Sequence, residues 1–167
     1  MSSFRPNSLM NLSSSLTTLS LRYCDLRGKL ENNILRLPSI QTLDLSRNSN
    51  LDGSLLKFNW SCSSLNSLGL SGRMFSREFL NSIGNLKSLE HLDLSSTSFL
   101  GELPSFIGNL KFLKHLALSD CNITGSIPAW LGNLTKLTYL DLSNNGFSGE
   151  ILLPLLNFRS FLANASN

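Results

Sequence analysis

Hydrophobic positions along this chain fall on a fixed beat. Leucine or isoleucine recurs in triplets spaced LxxLxL: Leu16, Leu19, Leu21; Ile40, Leu43, Leu45; Leu65, Leu68, Leu70; Leu89, Leu92, Leu94; Leu113, Leu116, Leu118; Leu137, Leu140, Leu142. Successive triplets are 24 residues apart, except for a step of 25 from Ile40 to Leu65. The extra residue falls in RNSNLDGS, one longer than the equivalent DCNITGS, and predicts a one-residue bulge in the loop after that strand. A fixed period of this length denotes a stacked array, each unit burying its apolar face against the next. Six copies fill residues 16–160, because 145 positions equal six times 24 plus one insertion. They run 16–39, 40–64, 65–88, 89–112, 113–136 and 137–160. Residues 1–15 read as the tail of a preceding copy and 161–167 as the start of a truncated one.

Each part of a copy has a physical role. The alternation in LxL points leucines into a core and the intervening residues outward, which is the signature of a short strand. Three positions after its last leucine stand Cys24, Asn48, Arg73, Thr97, Cys121 and Asn145. An asparagine there can bond the backbone of its own turn and of the neighbouring copy, building a ladder that satisfies otherwise unpaired groups. Cysteine and threonine can do this in part and Arg73 cannot. The third copy is therefore expected to be irregular, the more so because FSREFL replaces the xGxIP signal. Gly101, Gly125 and Gly149 permit a tight turn, Leu103, Ile127 and Ile151 return to the core, and Pro104 and Pro128 fix the exit. SFIGNL and AWLGNL then suit a single helical or 3₁₀ turn.

The resulting pattern, LxxLxLxxNxLxGxIPxxLGNLxx, resembles the plant-specific class of leucine-rich repeats found in ectodomains of receptor-like proteins and receptor-like kinases. The resemblance covers nearly the entire chain. It implies an α/β solenoid, a right-handed superhelix with a concave parallel sheet, a second short sheet and short 3₁₀ or helical turns on the convex side. It also implies a protein or peptide ligand bound on the concave or lateral surface, in defence or developmental signalling, at the extracellular face of the plasma membrane. A co-receptor kinase would be reached through the longer parent protein. Complete ectodomains of this class carry more repeats, cysteine-containing caps, a signal peptide and usually a membrane helix, so the chain reads as a fragment. The alternatives are a truncated, non-functional array and a secreted inhibitor of a wall-degrading enzyme.

Composition narrows the choice further. Charged residues are only 15 % and hydrophobic ones 41 %, which excludes a disordered polyelectrolyte. The net charge of +3 is scattered without a basic block, so no nucleic-acid partner is expected. No run reaches the roughly 18 apolar residues of a membrane span, and MSSFRPNSLM lacks the apolar stretch of a secretory signal. No HExxH, GxSxG or Walker motif supports an enzyme, and no cofactor is expected. Three cysteines without CxxC spacing argue against zinc or redox chemistry. Cys24 and Cys121 lie four copies apart, about 19 Å at roughly 4.8 Å per strand, too far for a disulfide. Both, like Cys62, are expected to be buried thiols. Glycosylation sequons begin at Asn11, Asn59, Asn122, Asn133 and Asn164, with Asn133 best placed on the convex arc.

The strand register also identifies the outward side chains. The serines at 46, 71, 95, 119 and 143 form a near-constant column that reads as scaffold. A second column runs Thr18, Thr42, Ser67, His91, His115, Tyr139, and its last three members are large. With Asp93, Asp120, Asp141 and Asn144 alongside, these residues are the preferred contact patch, since tyrosine offers both apolar area and a hydroxyl. Arg22, Tyr23 and Arg47 are further candidates on the same face. His91 and His115 on neighbouring strands invite comparison with a metal pair, but no ligand motif accompanies them and no metal is expected. A pH-sensitive contact beside aspartates is the better reading.

Overall fold

The structure is a computed structural model that describes residues 14–29, 37–52, 64–72, 77–149 and 161–162. Its elements follow in the order β1 (Thr18–Ser20), β2 (Arg27–Lys29), β3 (Thr42–Asp44), β4 (Asn50–Asp52), β5 (Ser67–Gly69), α1 (Arg77–Ile83), β6 (His91–Asp93), β7 (His115–Ala117), β8 (Thr124–Gly125), β9 (Tyr139–Asp141), β10 (Gly146–Phe147) and β11 (Phe161–Leu162). Turns of 3₁₀ helix occupy Ser105–Asn109 and Ala129–Asn133.

The LxL tripeptides build one parallel sheet, in the order β1-β3-β5-β6-β7-β9-β11. Leu43, Leu68, Leu92, Leu116 and Leu140 are paired in register and buried. Each such side chain contributes about 1.5–3 kcal/mol relative to exposure. Leu19 of β1 pairs with Leu43 but is only half-buried. The registers reproduce the sequence period, with Thr42 opposite Ser67 across the step of 25. The extra residue is absorbed between Asn48 and the buried Leu51, where β4 pairs with β2 at an offset of 23 (50 − 27). Without an insertion, β10 pairs with β8 at 22 (146 − 124). At β11 the period breaks, because Phe161 pairs with Leu140 at an offset of 21 (161 − 140) rather than 24. The strand thus arrives three residues before the register that a seventh copy beginning at 161 requires.

The turns follow their residues. Gly101, Gly125 and Gly149 have φ of 145°, 84° and 90°, the region that favours glycine. Leu103 and Ile127 are buried, and Pro104 and Pro128 stand in extended conformation at the head of the 3₁₀ turns. Ile151 lies outside the described residues. In the third copy the residue equivalent to Pro104 is Leu80 (104 − 24), whose N–H allows an unbroken helix, and α1 takes the place of the 3₁₀ turn. Among the described residues the second sheet is seen as the pairs β2-β4 and β10-β8, with an isolated bridge from Gly101 to Ile123. Arg73, in the third copy, lies outside the described residues.

The ladder is carried by two asparagines. Asn48 Oδ1 accepts the N–H of Cys24 and of Leu26, both at 3.1 Å, and its Nδ2 donates to the carbonyls of Leu21, Leu45 and Ser46. Asn145 does the same for Cys121, Ile123, Leu118, Leu142 and Ser143. Cys121 is a partial substitute, its thiol donating to the carbonyls of Leu94 at 3.1 Å and Ser119 at 3.4 Å. Thr97 departs from the expectation: its hydroxyl is buried with no partner among the described residues, being too short to do what the asparagine amide does. Cys24 departs as well. It is a free, exposed thiol, whereas Cys121 is free and buried. Cys121 Sγ reaches the Leu94 carbonyl of the preceding copy, while among the described residues Cys24 Sγ bonds that of Arg22 in its own copy, at 3.6 Å. Cys62 is not among the described residues.

Candidate recognition surface

Parallel, in-register strands turn outward positions into columns. The first residue of each strand gives Thr18, Thr42, Ser67, His91, His115 and Tyr139, and the third gives Ser20, Asp44, Gly69, Asp93, Ala117 and Asp141. Adjacent strands lie about 4.8 Å apart, so equivalent rings are held at contact distance. The His115 and Tyr139 rings stack with centroids 4.0 Å apart and planes 2° from parallel. His91 follows at 6.0 Å, tilted by 32°. Three rings on three successive strands thus form a continuous row.

Two acids flank that row and bias its charge. Burial lowers the pKa of His115, and His91 lowers it further, while Asp93 and Asp141 act in the opposite sense. Burial, then Asp141 and Asp93, raise the pKa of the Tyr139 phenol, which keeps it a neutral hydroxyl able to donate and accept. The acids also serve the backbone. Asp44, Asp93 and Asp141 each accept the N–H of the serine two residues on, at 2.9, 2.9 and 3.0 Å, and Asp141 accepts Ser143 Oγ at 2.6 Å. Their carboxylates are therefore fixed in place before any ligand arrives.

A different constraint governs the strand exits. Tyr23, Arg47, Ser96, Asp120 and Asn144 all have φ between 54° and 61°, and Gly72 occupies the same column at 86°. Aspartate and asparagine tolerate this left-handed conformation better than most residues. Asp120 and Asn144 thus have a backbone reason to be where they are. Arg47 and Tyr23 have none, and both are exposed. The Arg22 guanidinium lies 5.7 Å from the Tyr23 ring centroid. The candidates accordingly form two groups: His91, Asp93, His115, Asp120, Tyr139, Asp141 and Asn144 on β6, β7, β9 and their exits, and Arg22, Tyr23 and Arg47 beyond β1 and β3.

Between the two groups lies a groove of about 260 Å³ whose lining includes Thr42, Asp44, Ser67, Gly69, His91 and Asp93. Its cause is Gly69, the only member of the third-residue column without a side chain. A Cβ there would stand 2.7 Å from Asp44 Oδ1. Residues 42, 44, 67 and 69 were not among the sequence candidates. The signal was present as a run of small residues, Thr42, Ser67 and Gly69, beside a run of large ones.

Elsewhere, among the described residues no three His, Cys, Asp or Glu side chains gather as metal ligands, and no helix is long and apolar enough to cross a membrane. Asn122 is exposed, and its amide donates to Ser98 Oγ at 3.3 Å. Asn133 is exposed at the end of a 3₁₀ turn. Asn11, Asn59 and Asn164 lie outside the described residues.

Comparison with known proteins agrees with this architecture. A family model described as "Leucine-rich repeat region" matches residues 32–157. Receptor-like protein 6 of Arabidopsis thaliana is 40% identical over 73 residues, covering 44% of this chain and 7% of that protein. The ectodomain of the Arabidopsis thaliana receptor kinase GASSHO1/SCHENGEN3, solved with CASPARIAN STRIP INTEGRITY FACTOR 2, is similar at a TM-score of 0.70 and 35% identity, over 86% of this chain and 17% of that one. The Arabidopsis receptor kinase HAESA, solved with the peptide hormone IDA and the co-receptor SERK1, gives 0.68 and 34%, over 92% and 29%. The chain therefore spans a small part of the length of these relatives. With the repeat matched over well more than half of its length and reproduced strand by strand, this chain belongs to the leucine-rich-repeat family.

Proposed function

We propose that the chain is a peptide- or protein-recognition segment of the extracellular domain of a plant receptor-like protein or receptor kinase, serving defence or developmental signalling. The observation that carries this reading is the ring row of His91, His115 and Tyr139 on three successive strands of the exposed sheet face. Stacked rings offer apolar contact area with little rotamer entropy to lose, and the Tyr139 hydroxyl adds a directional bond. Asp93 and Asp141, held by backbone N–H groups, supply fixed acceptors beside them. Two of the similar receptor kinases were solved with a bound partner, a peptide hormone in the case of HAESA, which supports a peptide as the ligand class. A co-receptor kinase would then engage the longer protein. Glycans at Asn122 and Asn133 fit the same extracellular setting, since both side chains are exposed.

Selection from a displayed library of random peptides tests the reading. The expected outcome is a set of binders whose affinity falls on His115→Ala and Tyr139→Ala by about tenfold or more, the loss of one interfacial anchor. A library yielding no binder, or binders indifferent to both substitutions, would refute it.

A further inference from the structure

The Gly69 groove is bounded on one side by His91 and His115 of the ring row and differs from that row in shape and in charge. Its walls carry two carboxylates, Asp44 and Asp93, on strands either side of β5, with the hydroxyls of Thr42 and Ser67 and the imidazoles of His91 and His115 beside them and no lysine or arginine in the lining. At about 260 Å³ it falls below the roughly 300–1,000 Å³ of sites that enclose a whole small molecule, and so suits one side chain of a larger ligand. The carboxylates are preorganised. Asp44 Oδ1 accepts Ser46 N–H and Asp93 Oδ1 accepts Ser95 N–H, each at 2.9 Å, so a bound cation would not have to order them. The missing side chain at 69 leaves Asp44 its place: a Cβ would meet Oδ1 at 2.7 Å and Ser46 Oγ at 3.1 Å. Elsewhere in the column, Ala117 and Asp141 carry side chains at the paired positions.

We infer that this groove is a subsite for one basic side chain, arginine in preference to lysine, of an extended peptide lying along the sheet face. The inference rests on the reading of that face as a peptide surface. Charge complementarity selects the sign. Geometry selects the head group: acids on β3 and β6 are two strand spacings apart, about 9.6 Å between backbones. A planar guanidinium with five donors spans such a pair, whereas an ammonium is a compact point charge.

The test is a titration of the full ¹⁵N-labelled chain with the blocked tripeptide Gly-Arg-Gly, followed by its amide resonances. The neutral isostere with citrulline and the lysine peptide form the comparison arms. Saturable shifts centred on Gly69 and Asp93 are expected with arginine, weaker ones with lysine, and at least about tenfold weaker binding with citrulline, the scale of one charge-assisted hydrogen bond. The double variant Asp44→Asn, Asp93→Asn keeps both backbone acceptors and should lose the arginine response by a similar factor. Asp25→Asn with Glu102→Gln removes the same charge away from the groove and should leave it intact. Equal binding of citrulline and arginine, shifts centred elsewhere, no saturable response, or equal loss in the charge control would each overturn the subsite. The citrulline comparison uses the parent chain and does not depend on any variant folding. Failure here with peptides still selected on the ring row overturns the subsite alone, whereas an empty library overturns the wider reading.

Discussion

Replacing Asn48 by alanine removes five hydrogen bonds at one stroke, and replacing Thr97 by valine removes none among the described residues, although the two residues occupy the same place in the second and fourth copies. Asn48 is fully buried, and its amide bonds two backbone N–H groups and three carbonyls. After truncation, the N–H of buried Leu26 loses this acceptor, while the N–H of exposed Cys24 can turn to water. One stranded buried amide costs about 1–3 kcal/mol, and the undersatisfied carbonyls and small void add to it. A loss of about 3 kcal/mol is expected. Thr97→Val keeps the shape and removes a buried hydroxyl that has no partner among the described residues, so stability should hold or rise by up to about 1 kcal/mol. Asn145→Ala belongs between them, because Asn145 makes the same five bonds from a half-buried position. Urea unfolding followed by far-ultraviolet circular dichroism measures all three, compared as midpoints at constant m because repeat arrays can unfold in parts. A neutral Asn48→Ala would refute the ladder as a source of stability. A Thr97→Val variant as damaged as Asn48→Ala would show that the hydroxyl is engaged after all.

Three further outcomes follow from the same geometry. In native protein a thiol reagent should label Cys24 at once and Cys121 only on unfolding, because burial pushes the Cys121 thiol up to about 12 while Cys24 is exposed; peptide mapping reads the sites. His115 has its pKa lowered in the fold, so its neutral form is favoured there. Its contribution is present above the unfolded value of 6.5 and is lost as pH falls through the lower folded value, and His115→Gln should flatten that part of a stability–pH curve. Gly125→Ala should cost about 1 kcal/mol, since φ of 84° strains any residue with a Cβ, and a retained unfolding midpoint would contradict the turn assignment.

What could be read in advance was whatever one copy dictates to itself. The leucine triplets define the strands and core, Gly101 and Gly125 mark the turns, and Asn48 and Asn145 mark the ladder, because each is a local demand repeated until it stands out from chance. What escaped depends on neighbours. Cys24 and Cys121 share a ladder position, yet among the described residues the Cys121 sulfur bonds a carbonyl of the preceding copy and the Cys24 sulfur one of its own. The Gly69 groove belongs to no single copy; it exists because Thr42, Ser67 and Gly69 are small on adjacent strands while Asp44 and Asp93 stand on either side. The same distinction sorts the contact candidates. Asp120 and Asn144 suit a left-handed turn, and Asp93 and Asp141 hold strand exits, so their presence alone says little about a ligand. The repeat makes no such demand on the change from Thr42 and Ser67 to His91, His115 and Tyr139 along one column. That gradient from small to large side chains is where binding specificity can be written at least cost to the scaffold, and the groove and the ring row meet on it at His91 and His115.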